Sequence, residues 1–333
     1  MPRRRSIWLA PAAVLALTMV AGGPALAQAE EMTEVPEVLV AGFVPSREAD
    51  VLVTNIDPLV AYLSEALGIP VEGVVTTDYT GLVTAMETGS AHIGAFGPFG
   101  LVQAMERAGV VPILQTERDG QVTYHTQWFT NDPEKYCLDE PVENDEGFLT
   151  CNGTDVIDTE GGYTFGPKGE EGIALVEAGT TVSFTTPTSA SGYVFPALQL
   201  INLAGLDPET DVQAIFSGGH DNSVLAVCNG DAEVGVSFDD ARAIIQEGDC
   251  DDMSKVVTFA FSDEIPSDGI AVAGTLPAEL QQAIADALVA YSETEEGAAV
   301  LDAVYEIGAF GPADLESLEL VRDAAAKLGI TED

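Results

Sequence analysis

The fold of this 333-residue chain is indicated best by the stretch TTPTSASGYVFP at residues 185–196. The β-prone run Thr181-Val182-Ser183-Phe184 precedes it, and an apolar pattern with helical spacing follows it. A strand therefore ends in a Ser/Gly turn that opens a helix. Such a turn points unpaired backbone N–H groups and the positive end of the helix dipole at one spot. Its hydroxyls can cap the helix or hold an oxyanion.

An internal repeat places this unit in a larger arrangement. The stretches TTDYTGLVTAMETGSAHIG (residues 76–94) and SGGHDNSVLAVCNGDAEVG (residues 217–235) share a polar turn, a helix and a short apolar strand. Tyr79 and His220 occupy the same place at the helix start, and a glycine ends each helix. With the elements that precede them, both halves predict a βαβαβ order.

Two such halves predict an α/β chain with two lobes joined by a hinge. In open sheets of this kind, ligands bind beyond the carboxyl ends of the strands, so both lobes can face one cleft. We expect lobe 1 over residues 36–130 plus 260–330, and lobe 2 over residues 131–259. Helical patterns at 277–291, 297–305 and 312–328 would return the chain to lobe 1. The Gly/Asp/Glu-rich segment near 131–172 predicts a loop insertion bracketed by cysteines.

The N-terminal segment 1–27 predicts a cleaved signal peptide. It has three arginines at positions 3–5, a short apolar run, and Ala25-Leu26-Ala27 as a cleavage site. The arginines leave the general secretory and twin-arginine routes both open. The predicted cleavage site has no cysteine that could carry a lipid anchor. No later apolar segment is long enough to span a bilayer. We expect an exported, soluble protein of the periplasm or the extracellular space.

The chain is strongly acidic. Its formal net charge is −43, and removal of three arginines with the signal peptide makes it −46. Nucleic acid is excluded as a partner because phosphate contacts need clustered Lys and Arg. A hydrophobic content of 46% excludes disorder as the explanation of the charge. An anionic ligand must therefore be held by local donors against a repelling field.

The four cysteines predict disulfides, since the chain is expected to be exported. Cys137–Cys151 and Cys228–Cys250 are the simplest of three connectivities. The chain has neither a CxxC nor an HxxxH spacing, so we expect no metal and no cofactor.

These motifs resemble the phosphate/phosphite/phosphonate solute-binding proteins of ABC importers. The resemblance covers about residues 37–330 and is carried by a series of short motifs: Phe43-Val44-Pro45, Thr77-Asp78-Tyr79-Thr80-Gly81, Phe96-Gly97-Pro98, Ser189-Ala190-Ser191-Gly192-Tyr193, Gly218-Gly219-His220-Asp221 and Ile265-Pro266. It implies a periplasmic-binding-protein fold of the Venus-flytrap type II class. It also implies a monomer that captures a phosphonate- or phosphite-type oxyanion between its lobes and delivers it to a membrane permease.

The resemblance further implies which residues hold the oxyanion. The turn maps to Ser189, Ala190, Ser191 and Gly192, where Ala190 replaces the usual threonine and loses one hydroxyl contact. His220 would donate to the same oxyanion, and as an imidazolium at low pH it would add strength.

Further candidates lie around the turn. The resemblance implies a donor hydroxyl from Tyr79 across the cleft and from Tyr124 near the hinge, while Phe96 is the expected cleft wall. The acids Asp239, Asp240 and Asp263 are the nearest candidates for holding a ligand amine, although Asp239-Asp240 can equally cap a following helix. An acid in the site favours an aminoalkylphosphonate; its absence favours phosphite or a small alkylphosphonate.

Two alternatives remain at this stage. The same fold can serve another small anion for a different importer or a sensor. A hydrolase could be built from Ser191, His220 and an acid, but the chain lacks the Gly-x-Ser-x-Gly elbow and metal-ligand spacing. We therefore expect a receptor and not an enzyme.

Overall fold

A computed structural model describes residues 35–144, 146–151, 156–159, 162–165 and 169–330. The predicted signal peptide at 1–27 lies outside these residues. The strands are β1 (Leu39–Phe43), β2 (Val71–Val75), β3 (Ile93–Phe96), β4 (Val111–Glu117), β5 (Thr123–Tyr124), β6 (Thr126–Thr130), β7 (Val142–Glu143), β8 (Leu149–Thr150), β9 (Val156–Thr159), β10 (Gly162–Phe165), β11 (Thr181–Phe184), β12 (Gln213–Phe216), β13 (Val234–Phe238), β14 (Val257–Phe261), β15 (Ile265–Pro266), β16 (Gly269–Val272) and β17 (Ala309–Pro312).

The helices alternate with these strands along most of the chain. They are α1 (Ala49–Leu67), α2 (Tyr79–Glu87), α3 (Pro98–Ala108), α4 (Pro133–Tyr136), α5 (Glu170–Ile173), α6 (Phe195–Gln199), α7 (His220–Cys228), α8 (Ala278–Ser292), α9 (Glu295–Tyr305) and α10 (Leu318–Lys327). Single π-helical turns at Ala190–Val194 and Leu200–Ala204 extend α6 at both ends. Short 3₁₀ turns occur at Ala241–Ile244 and Met253–Lys255.

The first sheet is the core of lobe 1. Its strand order is β17-β4-β16-β3-β1-β2, with β1 parallel to β2 and β3, and β16 antiparallel to β3 and β4. Helices α8 and α9 pack on α1. Two of the C-terminal helices therefore pack with a helix from the N-terminal part of the described chain.

The second sheet is the core of lobe 2, in the order β12-β11-β13-β6-β14-β8-β7. The expected boundary after residue 130 is wrong for β6, which pairs antiparallel with both β13 and β14. All five residues of β6, Thr-Gln-Trp-Phe-Thr, are buried. A strand with a partner on each side is buried in the centre of its sheet, even when its sequence is partly polar. The local sequence of β6 does not show which strands will flank it.

Over its described ranges, the chain passes between the two large sheets twice, and these two passages pair with each other. Strand β5 follows β4 of the first sheet, and β15 precedes β16 on the return. They form a two-stranded antiparallel ribbon in which Ile265 faces Tyr124 and Pro266 faces Thr123. This ribbon places Tyr124 at the junction of the lobes.

The internal repeat is confirmed in the structure. Helices α2 and α7 are both nine residues long and begin at Tyr79 and His220. Gly89 and Gly230 follow them with φ of 70° and 77°, the left-handed conformation that favours glycine. The carboxylate of Asp78 caps α2 by accepting the Gly81 N–H at 2.7 Å.

Three details differ from the sequence predictions. The segment predicted as a helix from 312 begins as strand β17, which pairs with β4, and its helix starts only at Leu318. The segment near 131–172 is more than a loop, because β7 and β8 extend the second sheet. The predicted helix after Asp240 is a 3₁₀ turn.

Both predicted disulfides are confirmed. Cys137 and Cys151 have Cα atoms 5.2 Å apart, and those of Cys228 and Cys250 are 6.0 Å apart. Both distances lie within the ordinary range for a bridge. In the described ranges, none of the helices has the length and apolar character needed to cross a membrane.

Candidate functional site

A cavity lies between the lobes, at the carboxyl ends of strands from both sheets. Its volume is about 60 Å³, which admits roughly four water-sized groups. Lobe 1 and the ribbon supply the predicted residues Tyr79, Phe96 and Tyr124, and lobe 2 supplies Ser189, Ala190, Ser191, His220 and Asp239. The structure thus brings together eight of the ten predicted site residues.

The Ser/Gly turn both caps a helix and lines this cavity. The Ser189 hydroxyl accepts the Gly192 N–H at 3.1 Å, as an N-cap does. Ser191 is 1% exposed and lines the cavity together with Tyr124. The helix opens with a π-helical turn, a feature often found at functional sites.

Gly192 does not line the cavity but positions the turn. Its backbone packs on the strand end so closely that an added Cβ would lie 1.8 Å from the Thr185 Oγ1. The Gly192 carbonyl accepts the Thr185 N–H at 3.1 Å. A side chain at this position would push the turn out of place.

His220 is held as a neutral donor. Its Nδ1 lies 2.8 Å from the Ser237 hydroxyl and accepts the Phe238 N–H at 3.4 Å. The proton therefore resides on Nε2, which lies 3.5 Å from the Ser189 hydroxyl. Burial, with Arg47 and Arg118 nearby, lowers the pKa of His220 to about 3. The expected imidazolium is thus not available at ordinary pH.

Two arginines line the cavity that the sequence reasoning missed. The Arg118 guanidinium donates from Nη2 to the Asp268 Oδ2 at 2.6 Å and to the Tyr305 carbonyl at 3.0 Å. The Arg47 Nη2 lies 3.5 Å from the Glu306 Oε2, which is a long contact for an ion pair. The Arg47 Nε is buried without a protein partner in the described part of the chain. The scarcity of basic residues could have pointed to these two arginines, because only nine Lys and Arg residues remain after residue 27.

The acids are arranged differently from the prediction. Asp239 lines the cavity, and its Oδ1 accepts the His125 N–H at 2.9 Å. Asp240 instead pairs with the buried Arg242 and caps the 3₁₀ turn. Asp263 does not line the cavity; Asp268 does. Asp263 precedes β15, whereas Asp268 follows it and emerges beside β16 in the first sheet.

The cavity tyrosines are protonated donors. Burial raises the pKa of Tyr79 well above its usual value, and Tyr305 and Asp268 add to the effect. Burial and Asp268 likewise raise the pKa of Tyr124. Tyr305, a further residue missed from the sequence, donates its hydroxyl to the Val44 carbonyl at 2.7 Å.

Comparison with known proteins decides the family. The profile described as "ABC transporter, phosphonate, periplasmic substrate-binding protein" matches residues 41–318. The chain belongs to this family. Family membership makes it a periplasmic substrate-binding component of an ABC transporter, which is a transport function.

Individual relatives are more distant. The chain is 28% identical over 253 residues to "Phosphate-import protein PhnD" of Mycolicibacterium smegmatis, covering 72% of this chain and 68% of the relative. It is 22% identical over 246 residues to the "Phosphonates-binding periplasmic protein" of Escherichia coli, covering 74% and 63%. PhnD1 of Prochlorococcus marinus, solved with methylphosphonate, superposes with a TM-score of 0.70 at 18% identity, covering 89% of this chain and 100% of that one. This last likeness confirms the two-lobed fold.

The lobes of this family member touch across the cleft. The N–H of His220 in lobe 2 donates to the Ser46 carbonyl of lobe 1 at 2.9 Å. The Glu48 N–H of lobe 1 donates to the Asp221 carboxylate of lobe 2 at 3.0 Å. These bonds close the cavity beside Arg47, so the structure represents a closed arrangement of the lobes.

The neutral state of His220 gives a testable pH dependence of stability. Its folded pKa lies below the ordinary value of 6.5, so its neutral form stabilises the fold above about pH 6.5. That contribution is lost as the pH falls towards 3. Replacing His220→Gln should remove this part of the pH dependence, measured by urea unfolding between pH 7 and 4. An NMR titration placing the His220 pKa near 6.5 would contradict the assignment.

Proposed function

We propose that this protein captures a small tetrahedral phosphorus oxyanion, of the phosphate, phosphite or methylphosphonate class, between its two lobes and delivers it to a membrane permease. The observation that carries the proposal is the convergence of donor residues from both lobes on one cavity. Ser191, His220 and Arg118 all line it, and their side chains can offer a hydroxyl, an imidazole N–H and a guanidinium. Charge-assisted donors around a small buried space suit a compact anion.

The size of the cavity limits the ligand. Space for roughly four water-sized groups fits a tetrahedral anion with at most a small substituent. Larger phosphonates would require the lobes to stay apart, which would break the bonds from His220 to Ser46 and from Glu48 to Asp221.

The charges argue against an aminoalkylphosphonate. An amine needs a carboxylate, but Asp268 and Glu306 already pair with Arg118 and Arg47. Asp239 is engaged by the His125 N–H. An ammonium group at Asp268 or Glu306 would therefore lie beside a resident guanidinium, and like-charge repulsion opposes its binding there.

The hydrolase alternative lacks the required geometry. The His220 Nε2 lies 3.5 Å from the hydroxyl of Ser189, and its Nδ1 faces the Ser237 hydroxyl where a triad needs a carboxylate. We propose binding without turnover, by an exported monomer with a cleaved signal peptide.

The β5–β15 ribbon is the proposed hinge. Its two strands are the only covalent passages between the sheets in the described chain. We place lobe 1 at about residues 36–122 plus 267–330 and lobe 2 at about residues 126–262. Closure about this ribbon brings the turn, His220 and the arginines around the ligand.

Calorimetric titration of residues 28–333 with phosphate, phosphite, methylphosphonate and 2-aminoethylphosphonate tests the proposal. We expect one-to-one binding of at least one of the first three and weak or no binding of the last. Ser191→Ala should weaken binding by about 1–3 kcal/mol, because it removes a hydrogen bond to a charged group. The matched variant Ser292→Ala, whose hydroxyl only contacts the Val289 carbonyl at the end of α8, should bind as the wild type does. Absence of binding by all four anions would refute the proposal.

A further inference from the structure

The Arg118–Asp268 pair offers the cavity a donor and an acceptor side by side. One carboxylate oxygen of Asp268, Oδ2, takes the Arg118 Nη2–H at 2.6 Å. The other, Oδ1, lies 3.7 Å from the position a Cβ on Gly97 would take, in the wall that Gly97 and Tyr79 form. Within the residues that the structure describes, the Nη1 of Arg118 has only a long contact of 3.5 Å, to the Thr116 hydroxyl. An Nη1 N–H and a carboxylate oxygen thus remain for a ligand.

We infer that Arg118 and Asp268 together distinguish protonated from unprotonated oxyanions. The site then selects an anion that retains a P–OH group, and hydrogenphosphate is the ligand that fits best. The inference rests on the proposed function and specifies its ligand. One P–O⁻ oxygen accepts from the Arg118 guanidinium while the P–OH donates to the Asp268 carboxylate. An anion without a proton would place a charged oxygen against that carboxylate, which costs binding energy.

Arg118 is the charged side chain that faces Asp268, and the other three side chains that face it are tyrosines. Arg118 faces it from the position directly after β4, Tyr79 from α2, Tyr124 from β5 and Tyr305 from α9. The three tyrosines have raised pKa values and stay uncharged up to alkaline pH.

The remaining charged groups of the cavity lie near the two arginines. His220 is neutral above about pH 3. Burial raises the pKa of Glu306, which contacts Arg47, and Asp239 lies beside His125. Between pH 6 and pH 9, we therefore expect the ligand's own proton to dominate the pH dependence of binding.

The candidate anions differ in this proton. Phosphate has four oxygens and keeps at least one proton from pH 6 to pH 9. Methylphosphonate and phosphite have three oxygens and lose their last P–OH within that range. Sulfate has the same shape as phosphate but carries no proton. A site that requires a P–OH must rank phosphate first at alkaline pH and reject sulfate throughout.

The test is calorimetry of the full mature chain with phosphate, methylphosphonate and sulfate at pH 6 and pH 9. We expect the phosphate affinity to change by less than about threefold, and the methylphosphonate affinity to fall about tenfold per pH unit above its second dissociation. Sulfate should bind at least about a hundredfold more weakly than phosphate.

The variant Asp268→Asn removes the acceptor charge. The preference for phosphate over sulfate should then fall at least about tenfold, and methylphosphonate binding should lose its pH dependence. The matched variant Asp286→Asn, at an exposed position on α8, should keep the wild-type preference.

The outcomes separate the two proposals. No binding of any anion would refute the proposed function. Wild-type binding of sulfate as tight as that of phosphate, or pH-independent binding of methylphosphonate, would overturn the inference alone. If Asp268→Asn fails to fold, the wild-type sulfate and pH comparisons decide by themselves.

Discussion

Replacing Arg118→Met is expected to abolish oxyanion binding and to lower the free energy of unfolding by about 3 kcal/mol, the lower end of the range for breaking a buried pair. The change leaves the Asp268 carboxylate without its 2.6 Å partner and the Tyr305 carbonyl without its two donors. Both side chains of the pair are 25% exposed, which limits the penalty. Urea unfolding followed by circular dichroism measures the stability, and calorimetry measures the binding.

A double variant separates the two effects of Arg118. Removing both partners, as in Arg118→Met with Asp268→Leu, should restore most of the stability because no uncompensated charge remains. It should not restore binding. The control Arg107→Met breaks a surface pair with Glu87 and should cost no more than about 1 kcal/mol. Wild-type affinity in Arg118→Met would remove this residue from the site.

Replacing Gly192→Ala is expected to displace the Ser/Gly turn and weaken oxyanion binding by more than about tenfold. The added Cβ would lie 1.8 Å from the Thr185 Oγ1, and Thr185 is 1% exposed, so neither group can move into solvent. Overpacking of this kind typically lowers the free energy of unfolding by about 1–3 kcal/mol. Thermal unfolding and calorimetry of the variant measure the two effects.

The matched control is Gly100→Ala in helix α3. A Cβ there would meet the Phe96 ring at 3.6 Å, an ordinary contact distance, so the variant should be neutral or slightly stabilising. Equal behaviour of the two variants would show that the close approach of Gly192 to Thr185 does not constrain the turn.

The features predicted correctly from the sequence are those set by local spacing. The Ser/Gly turn, the repeated helix starts at Tyr79 and His220, and both disulfides need only short-range patterns. Glycines at the ends of α2 and α7 mark the repeat because the left-handed backbone there favours them.

The features that were missed depend on distant parts of the chain. Arg118 meets Asp268 across 150 residues, and Arg47 meets Glu306 across 259. No local pattern distinguishes these arginines from surface ones, since only the packing of the two passages and of α9 brings the partners together. Strand β6 was assigned to the wrong lobe for the same reason, because its place is set by β13 and β14.

The charge of His220 also depends on its surroundings. Its place at a helix start follows from the repeat, but its neutral state follows from burial and from two arginines of lobe 1. The sequence suggested an imidazolium because the arginines could not be placed there. With Arg47 and Arg118 in the cavity, the positive charge that an anion needs is already present.

A crystal structure of the mature chain grown with phosphate tests the central claim most directly. The account predicts one tetrahedral anion enclosed between the lobes, within hydrogen-bond distance of the Ser191 hydroxyl, the His220 Nε2 and the Arg118 guanidinium. It also predicts one anion oxygen facing the Asp268 carboxylate. An empty cavity at saturating phosphate, or an anion held by one lobe alone away from the Ser/Gly turn, would contradict the account.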